Sequence, residues 1–94
     1  LELLHAAGIR VNLGTGTSSP PPWLARVHRE TLPQDADGTI AWPGGRQAWC
    51  PSSEVFRHKA LELVTAMADR YGDHPALALW HVSNELGCHN ALCY

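Results

Sequence analysis

The stretch ALALWHVSNELGCHN, Ala76–Asn90, decides how this chain is read. Its first half, Ala76 to Val82, is a short apolar run after the turn sequence Asp73-His74-Pro75, which marks a buried strand. The run turns polar at Ser83. It then places an amide, Asn84, directly before a carboxylate, Glu85, with a thiol (Cys88) and an imidazole (His89) just beyond. Side chains alternate along a strand, so Leu79, His81, Ser83 and Glu85 fall on one face. Such a column leads from packed core to an open polar rim.

Working outward, the preceding segment is the strongest helix. Ser52 or Ser53 can cap it, Glu54 suits the positive end of the helix dipole, and Gly72 ends it. Phe56, Ala60, Leu63, Val64, Met67 and Tyr71 recur at three- and four-residue spacing, which predicts a helix over Ser53–Tyr71. Near the start, Leu1–Ala7 reads as a helix stopped by Gly8. Ile9–Leu13 reads as a strand closed by GTGTSSPPP. The order helix, strand, long loop, helix, strand implies an α/β unit whose two strands run parallel. Within the loop Thr15–Pro51, PPWLARVHRE predicts a short helix with proline in its first turn and Trp23, Leu24 and Val27 on one face. Asp37-Gly38 predicts a tight turn between QDA and TIAW. The loop leaves the first strand at its C-terminal end, and Asn84-Glu85 leave the second at the same end. Ligands of parallel α/β proteins bind at that edge, so the loop and the polar pair are expected together.

The composition is that of a globular protein. Of 94 residues, 45% are hydrophobic and 17% charged, and the net charge of −2 offers no electrostatic footprint for nucleic acid or an anionic membrane surface. No apolar run approaches the roughly 20 residues of a membrane span. Three cysteines argue against a closed disulfide framework and favour reduced or metal-bound thiols. The chain opens on Leu1 in mid-pattern and stops at Tyr94 without a tail signal, so it is read as an internal fragment of a longer protein.

A carboxyl group at a strand's C-terminal end suits general acid/base work, and an adjacent amide can bond a sugar hydroxyl. RQAWCPSS (Arg46–Ser53) followed by ALALWHVSNELGCHN resembles glycoside hydrolase family 42, the β-galactosidases of the retaining TIM-barrel clan. GTGTSSPPPWLARVHRE (Gly14–Glu30) is similar to that family's segment after the third barrel strand. Leu86 stands where the resemblance leads one to expect an aromatic residue. The resemblance implies a partial (β/α)8 barrel, roughly its third and fourth units, with the whole of 1–94 inside the catalytic domain. By it, Glu85 matches the acid/base, and Asn84 matches the residue that binds near the substrate's 2-hydroxyl. Arg46 matches an arginine that contacts the galactosyl unit or the nucleophile. The implied reaction is hydrolysis of terminal non-reducing β-D-galactose with retention. It needs two carboxyl groups about 5–5.5 Å apart, and Glu85 must begin protonated. The second glutamate, the nucleophile, has no match in these residues, so the fragment alone is expected to be inactive. An α-L-arabinopyranosidase, a β-glucosidase-like enzyme of the same clan, or a non-catalytic metal-binding or assembly module are the alternative readings.

The same resemblance implies a structural zinc held by four cysteines, of which Cys50 and Cys93 would be two. Two thiolates do not complete tetrahedral coordination, so the isolated fragment is expected to carry free or buried thiols. Homotrimers are frequent in the resembling family, and a cytoplasmic location is expected. Trp42 and Trp49 are candidate sugar platforms, with packing as the alternative, and Trp80 is expected on the helix-facing side of its strand. His5, His28, His58 and His74 are read as surface residues and His81 as a core histidine. His89 is a possible supporting residue for the acid/base. GTGTSSP is glycine-rich but lacks the ending of a phosphate loop, which argues against nucleotide binding.

Overall fold

The computed structural model of the chain describes residues 1–44 and 47–84. The elements run α1 (Glu2–Ala6), β1 (Val11–Gly14), α2 (Pro22–Val27), a 3-10 turn (Arg29–Thr31), α3 (Glu54–Tyr71) and β2 (Leu77–His81). β1 and β2 pair in parallel, with Asn12 opposite Leu79, Leu13 opposite Trp80 and Gly14 opposite His81. The expected order and the parallel pairing are both met.

The element ends differ from the expectation for identifiable reasons. β1 starts at Val11 rather than Ile9 because Ile9 is used in closing α1. Gly8, at φ +70°, donates its N–H to the His5 carbonyl at 2.9 Å, and the Ile9 N–H reaches the Leu4 carbonyl at 2.8 Å. This is the left-handed helix stop that glycine adopts without penalty. α3 starts where its cap demands: the Ser53 hydroxyl accepts the Phe56 N–H at 3.3 Å, and Glu54 occupies the first turn. Replacing Ser53 by alanine orphans that donor. We expect a loss of about 1 kcal/mol, measured as a lower urea midpoint of the whole protein at unchanged slope.

α3 lies along one face of the strand pair. Trp80 and Val82 share a groove with Val64, Thr65 and Ala68, so Trp80 is on the helix side as expected. The opposite face is open: Asn12, Gly14 and Leu79 are exposed, Leu79 at 64%. His81 lies on that face, away from α3 and beside Gly14, the side that turns inward in a barrel.

With Ala76 buried separately at the foot of β2, most of the buried apolar side chains lie under the long loop. Leu24, Ala25, Leu32, Pro33, Cys50 and Phe56 are buried there, supplied by α2, the 3-10 turn, the loop's return and the first turns of α3. Of the three residues expected on one face of α2, Leu24 is buried here. Leu24 and Ala25 are buried, whereas Trp23 and Val27 are 55% and 69% exposed. A helix of fewer than two turns buries whichever adjacent pair meets its neighbour, so periodicity is a weak guide to its inner face.

The loop is locally ordered. Its base is pinned by the Cys50 N–H donating to the Thr31 carbonyl at 2.8 Å, while the buried Thr31 hydroxyl donates to the His28 carbonyl at 2.7 Å. The tight turn at Asp37-Gly38 forms as expected. Gly38 has φ +88° and its N–H meets the Asp35 carbonyl, the Asp35 N–H meets the Thr39 carbonyl, and Gln34 bridges Ile40 antiparallel. Among the described residues no helix is long and apolar enough to cross a membrane.

Candidate active site at the strand ends

The parallel ladder ends with the Thr15 N–H donating to the His81 carbonyl at 3.1 Å. Beyond it, side chains take over. The Thr15 hydroxyl lies 2.8 Å and the Thr17 hydroxyl 3.0 Å from the Val82 carbonyl oxygen, both as donors, and the two hydroxyls are 2.9 Å apart. One residue past Ser83, the Asn84 carbonyl accepts a hydrogen bond from the Gln47 side-chain amide. Gln47 has φ +57° and, among the described residues, is the one non-glycine in the left-handed region. Ser18, Ser19, Gln47 and Asn84 line a cleft of about 240 Å3. The loop and the polar strand end thus meet at the C-terminal edge of the strands.

Of the sequence-predicted site residues, Asn84 lies in this cleft, exposed and next to the loop. Arg46, Glu85 and Cys93 lie outside the described residues, as do Cys88 and His89. A larger cleft of about 450 Å3 opens between α2 and α3, lined mainly by Pro20, Pro21, Trp23, Phe56 and Leu63. Its two charged members, Lys59 and Glu62, are paired with each other at 2.8 Å, so it offers little free chemistry.

Among the described residues, the carboxyl groups with perturbed acidity lie elsewhere, and all are shifted toward the ionised form. A hydrogen bond from His74 holds Glu2 low, one from Lys59 holds Glu62 low, and backbone N–H groups hold Glu30 and Asp37 low. A general acid needs the opposite shift, so none of the four suits that role. His74 is not a surface residue, since its side chain is only 12% exposed. Its Nδ1 accepts the Ala76 N–H at 3.1 Å, so Nε2 carries the proton given to Glu2 at 2.9 Å. It ties α1 to the foot of β2.

The tryptophans have packing partners. Trp49 stacks on Phe56 with ring centroids 4.7 Å apart at 16°, and the Arg29 guanidinium lies 4.8 Å over the Trp42 ring. Cys50 is disulfide-bonded, with its partner outside the described residues, which corrects the expectation of free thiols. An odd cysteine count leaves one over, but it does not prevent two from pairing. Among the described residues no group of three His, Cys, Asp or Glu is placed to hold a metal ion, and Cys93 lies outside them.

Three residues at this edge escaped the sequence reading. Thr15 and Thr17 fell within the segment that closes the first strand but were given no role, although their spacing of two at a strand end places both hydroxyls on one side. Gln47 carries no sequence signal, because its role depends on a backbone conformation that favours glycine.

A sequence model of glycoside hydrolase family 42, described as β-galactosidase, matches residues 1–94. A β-galactosidase of an Arthrobacter species is 54% identical over 89 residues, 95% of this chain and 13% of that protein. The β-galactosidase BbgII of Bifidobacterium bifidum is 48% identical over all 94 residues, 14% of its length. Among solved structures, β-galactosidase from the psychrophilic Marinomonas ef1 superposes with a TM-score of 0.91 at 41% identity, over 99% of this chain and 14% of that one. β-Galactosidase from Bacillus circulans sp. alkalophilus gives 0.87 at 38% identity, over 99% and 13%. The chain thus spans about one seventh of the relatives it matches, and it belongs to glycoside hydrolase family 42, the β-galactosidases.

Proposed function

We propose that the whole protein hydrolyses terminal non-reducing β-D-galactosides with retention, and that these residues are the third and fourth β/α units of its barrel. Glu85 is the acid/base. It protonates the leaving oxygen while a second carboxylate, supplied from outside these residues, attacks the anomeric carbon. It then deprotonates the water that releases galactose. Asn84 and Arg46 bind the galactosyl unit.

One observation carries this reading: the hydrogen bond from Gln47 to the Asn84 carbonyl. Gln47 is the chain neighbour of Arg46, and Asn84 is the chain neighbour of Glu85. Their contact supports a single site built from the two segments, at the strand edge where parallel α/β proteins bind ligands. The two relatives named above, both β-galactosidases, supply the substrate. A zinc held by Cys50 and Cys93 in the whole protein would need both sulfurs reduced.

The test is the whole protein's kcat/KM on the para-nitrophenyl β-D-galactoside, α-L-arabinopyranoside and β-D-glucoside, with the anomer released followed by proton NMR. The galactoside should lead and β-galactose should appear first. A glucoside or arabinoside preference, an α anomer or an inert protein would refute the proposal.

A further inference from the structure

We infer that Thr15 and Thr17, with Gln47, form a latch that positions the acid/base; the inference rests on the reading of Glu85 given above. Among the described residues, β2 has no backbone partner in β1 beyond His81. Val82 to Asn84 therefore leave the sheet with their carbonyls unclaimed by the ladder. Two are claimed by side chains of the segment that follows β1: Val82 by Thr15 and Thr17, and Asn84 by Gln47. These are alternate residues on the last stretch of backbone before Glu85.

The chemistry of the latch is specific. A carbonyl oxygen has two lone pairs and each hydroxyl has one proton, so both threonines can donate to Val82 at once. Threonine is β-branched and stiff about its first torsion, so each hydroxyl holds a fixed direction. Thr15 is only 6% exposed, which shields its bond from exchange with water. Serine would supply the same donor with more freedom, and valine the same shape with no donor. The strand end is thereby tied to the loop that carries Arg46, not only to the sheet. An acid/base works only within hydrogen-bond reach of the leaving oxygen, so a slack backbone before Glu85 should weaken proton transfer more than substrate binding.

The experiment compares the whole wild-type protein with Thr15→Val/Thr17→Val, Thr15→Ser/Thr17→Ser and Glu85→Ala. The readout is kcat/KM for lactose, whose leaving group needs a proton, against kcat/KM for dinitrophenyl β-galactoside, whose leaving group does not. The valine pair should lose about tenfold or more on lactose and less than about threefold on the dinitrophenyl substrate, with the serine pair recovering most of the loss. Glu85→Ala should show the same selectivity, more deeply. Equal losses on both substrates would make the threonines merely structural and overturn the latch, as would no loss on either. Selectivity in Glu85→Ala without it in the valine pair would reject the latch alone. An unselective Glu85→Ala would reject the acid/base reading and the latch with it. Should the double variant fail to fold, Thr17→Val alone, whose bond is exposed, is judged by the same two-substrate criterion.

Discussion

Replacing Glu85 by alanine in the whole protein should lower kcat/KM for lactose by about 10²–10⁴-fold, the range over which positioned proton transfer contributes. The expectation follows from the reaction. Without a donor, the departing sugar oxygen leaves as an alkoxide, and the barrier to breaking the glycosidic bond rises. The pH profile should change as well. In the wild type, kcat/KM should fall on the alkaline side as the acid/base loses its proton, and this limb should vanish in the variant. Glu85→Gln keeps the size and hydrogen-bonding reach of the side chain but cannot shuttle a proton, so it should share the loss. The thermal midpoint should move little, because a catalytic acid at a strand end contributes chemistry rather than packing. Undiminished turnover of lactose by either variant would remove Glu85 from the mechanism.

The second large effect concerns Phe56. It is the one buried residue of α3 among the described residues, at 8% exposure, and its ring stacks on Trp49. Phe56→Ala should destabilise the whole protein by about 3–5 kcal/mol, the usual range for removing a buried aromatic ring. The consequence is not confined to the helix. Trp49 is three residues from Arg46 and two from Gln47, and Cys50 beside it anchors the loop to Thr31. Removing the ring beneath Trp49 therefore loosens the loop where it meets the strand end. Urea unfolding gives the first part of this result. Tryptophan fluorescence of the folded variant gives the second, as a red shift from a more solvated indole. A loss below about 1 kcal/mol would mean that the space left by the ring closes up, and that the stack is not what holds the loop.

The sequence was most legible where one physical signal dominated. α3 could be read to within a residue because an apolar repeat, a serine cap and a terminal glycine agree over 18 residues. The parallel strand pair followed from element order alone. Legibility fell where tertiary contacts choose among local options. α2 is six residues long, and its inner face was set by the turn it packs on, not by its own periodicity. Ile9 has strand propensity yet serves to close α1. His74 sits beside a turn proline and reads as a surface residue, but its side chain is largely enclosed where it ties α1 to β2. At the site, Asn84 and its place at the strand edge were legible from strand alternation and chain order. Gln47 was not, because its contact joins residues 37 apart in sequence through a loop conformation that no periodicity encodes.

In the proposed mechanism, Glu85 is the proton-transferring half of a two-carboxylate pair. The most direct test is to treat the whole Glu85→Ala protein with dinitrophenyl β-galactoside in the presence of azide and to identify the product. Dinitrophenolate leaves without protonation as the second carboxylate bonds to the anomeric carbon. Azide, which needs no general base, then attacks that carbon and displaces the carboxylate. Two inversions give β-galactosyl azide, with turnover restored, and that is the predicted result. α-Galactosyl azide would make Glu85 the nucleophile, and no azide adduct with undiminished hydrolysis would remove it from the reaction.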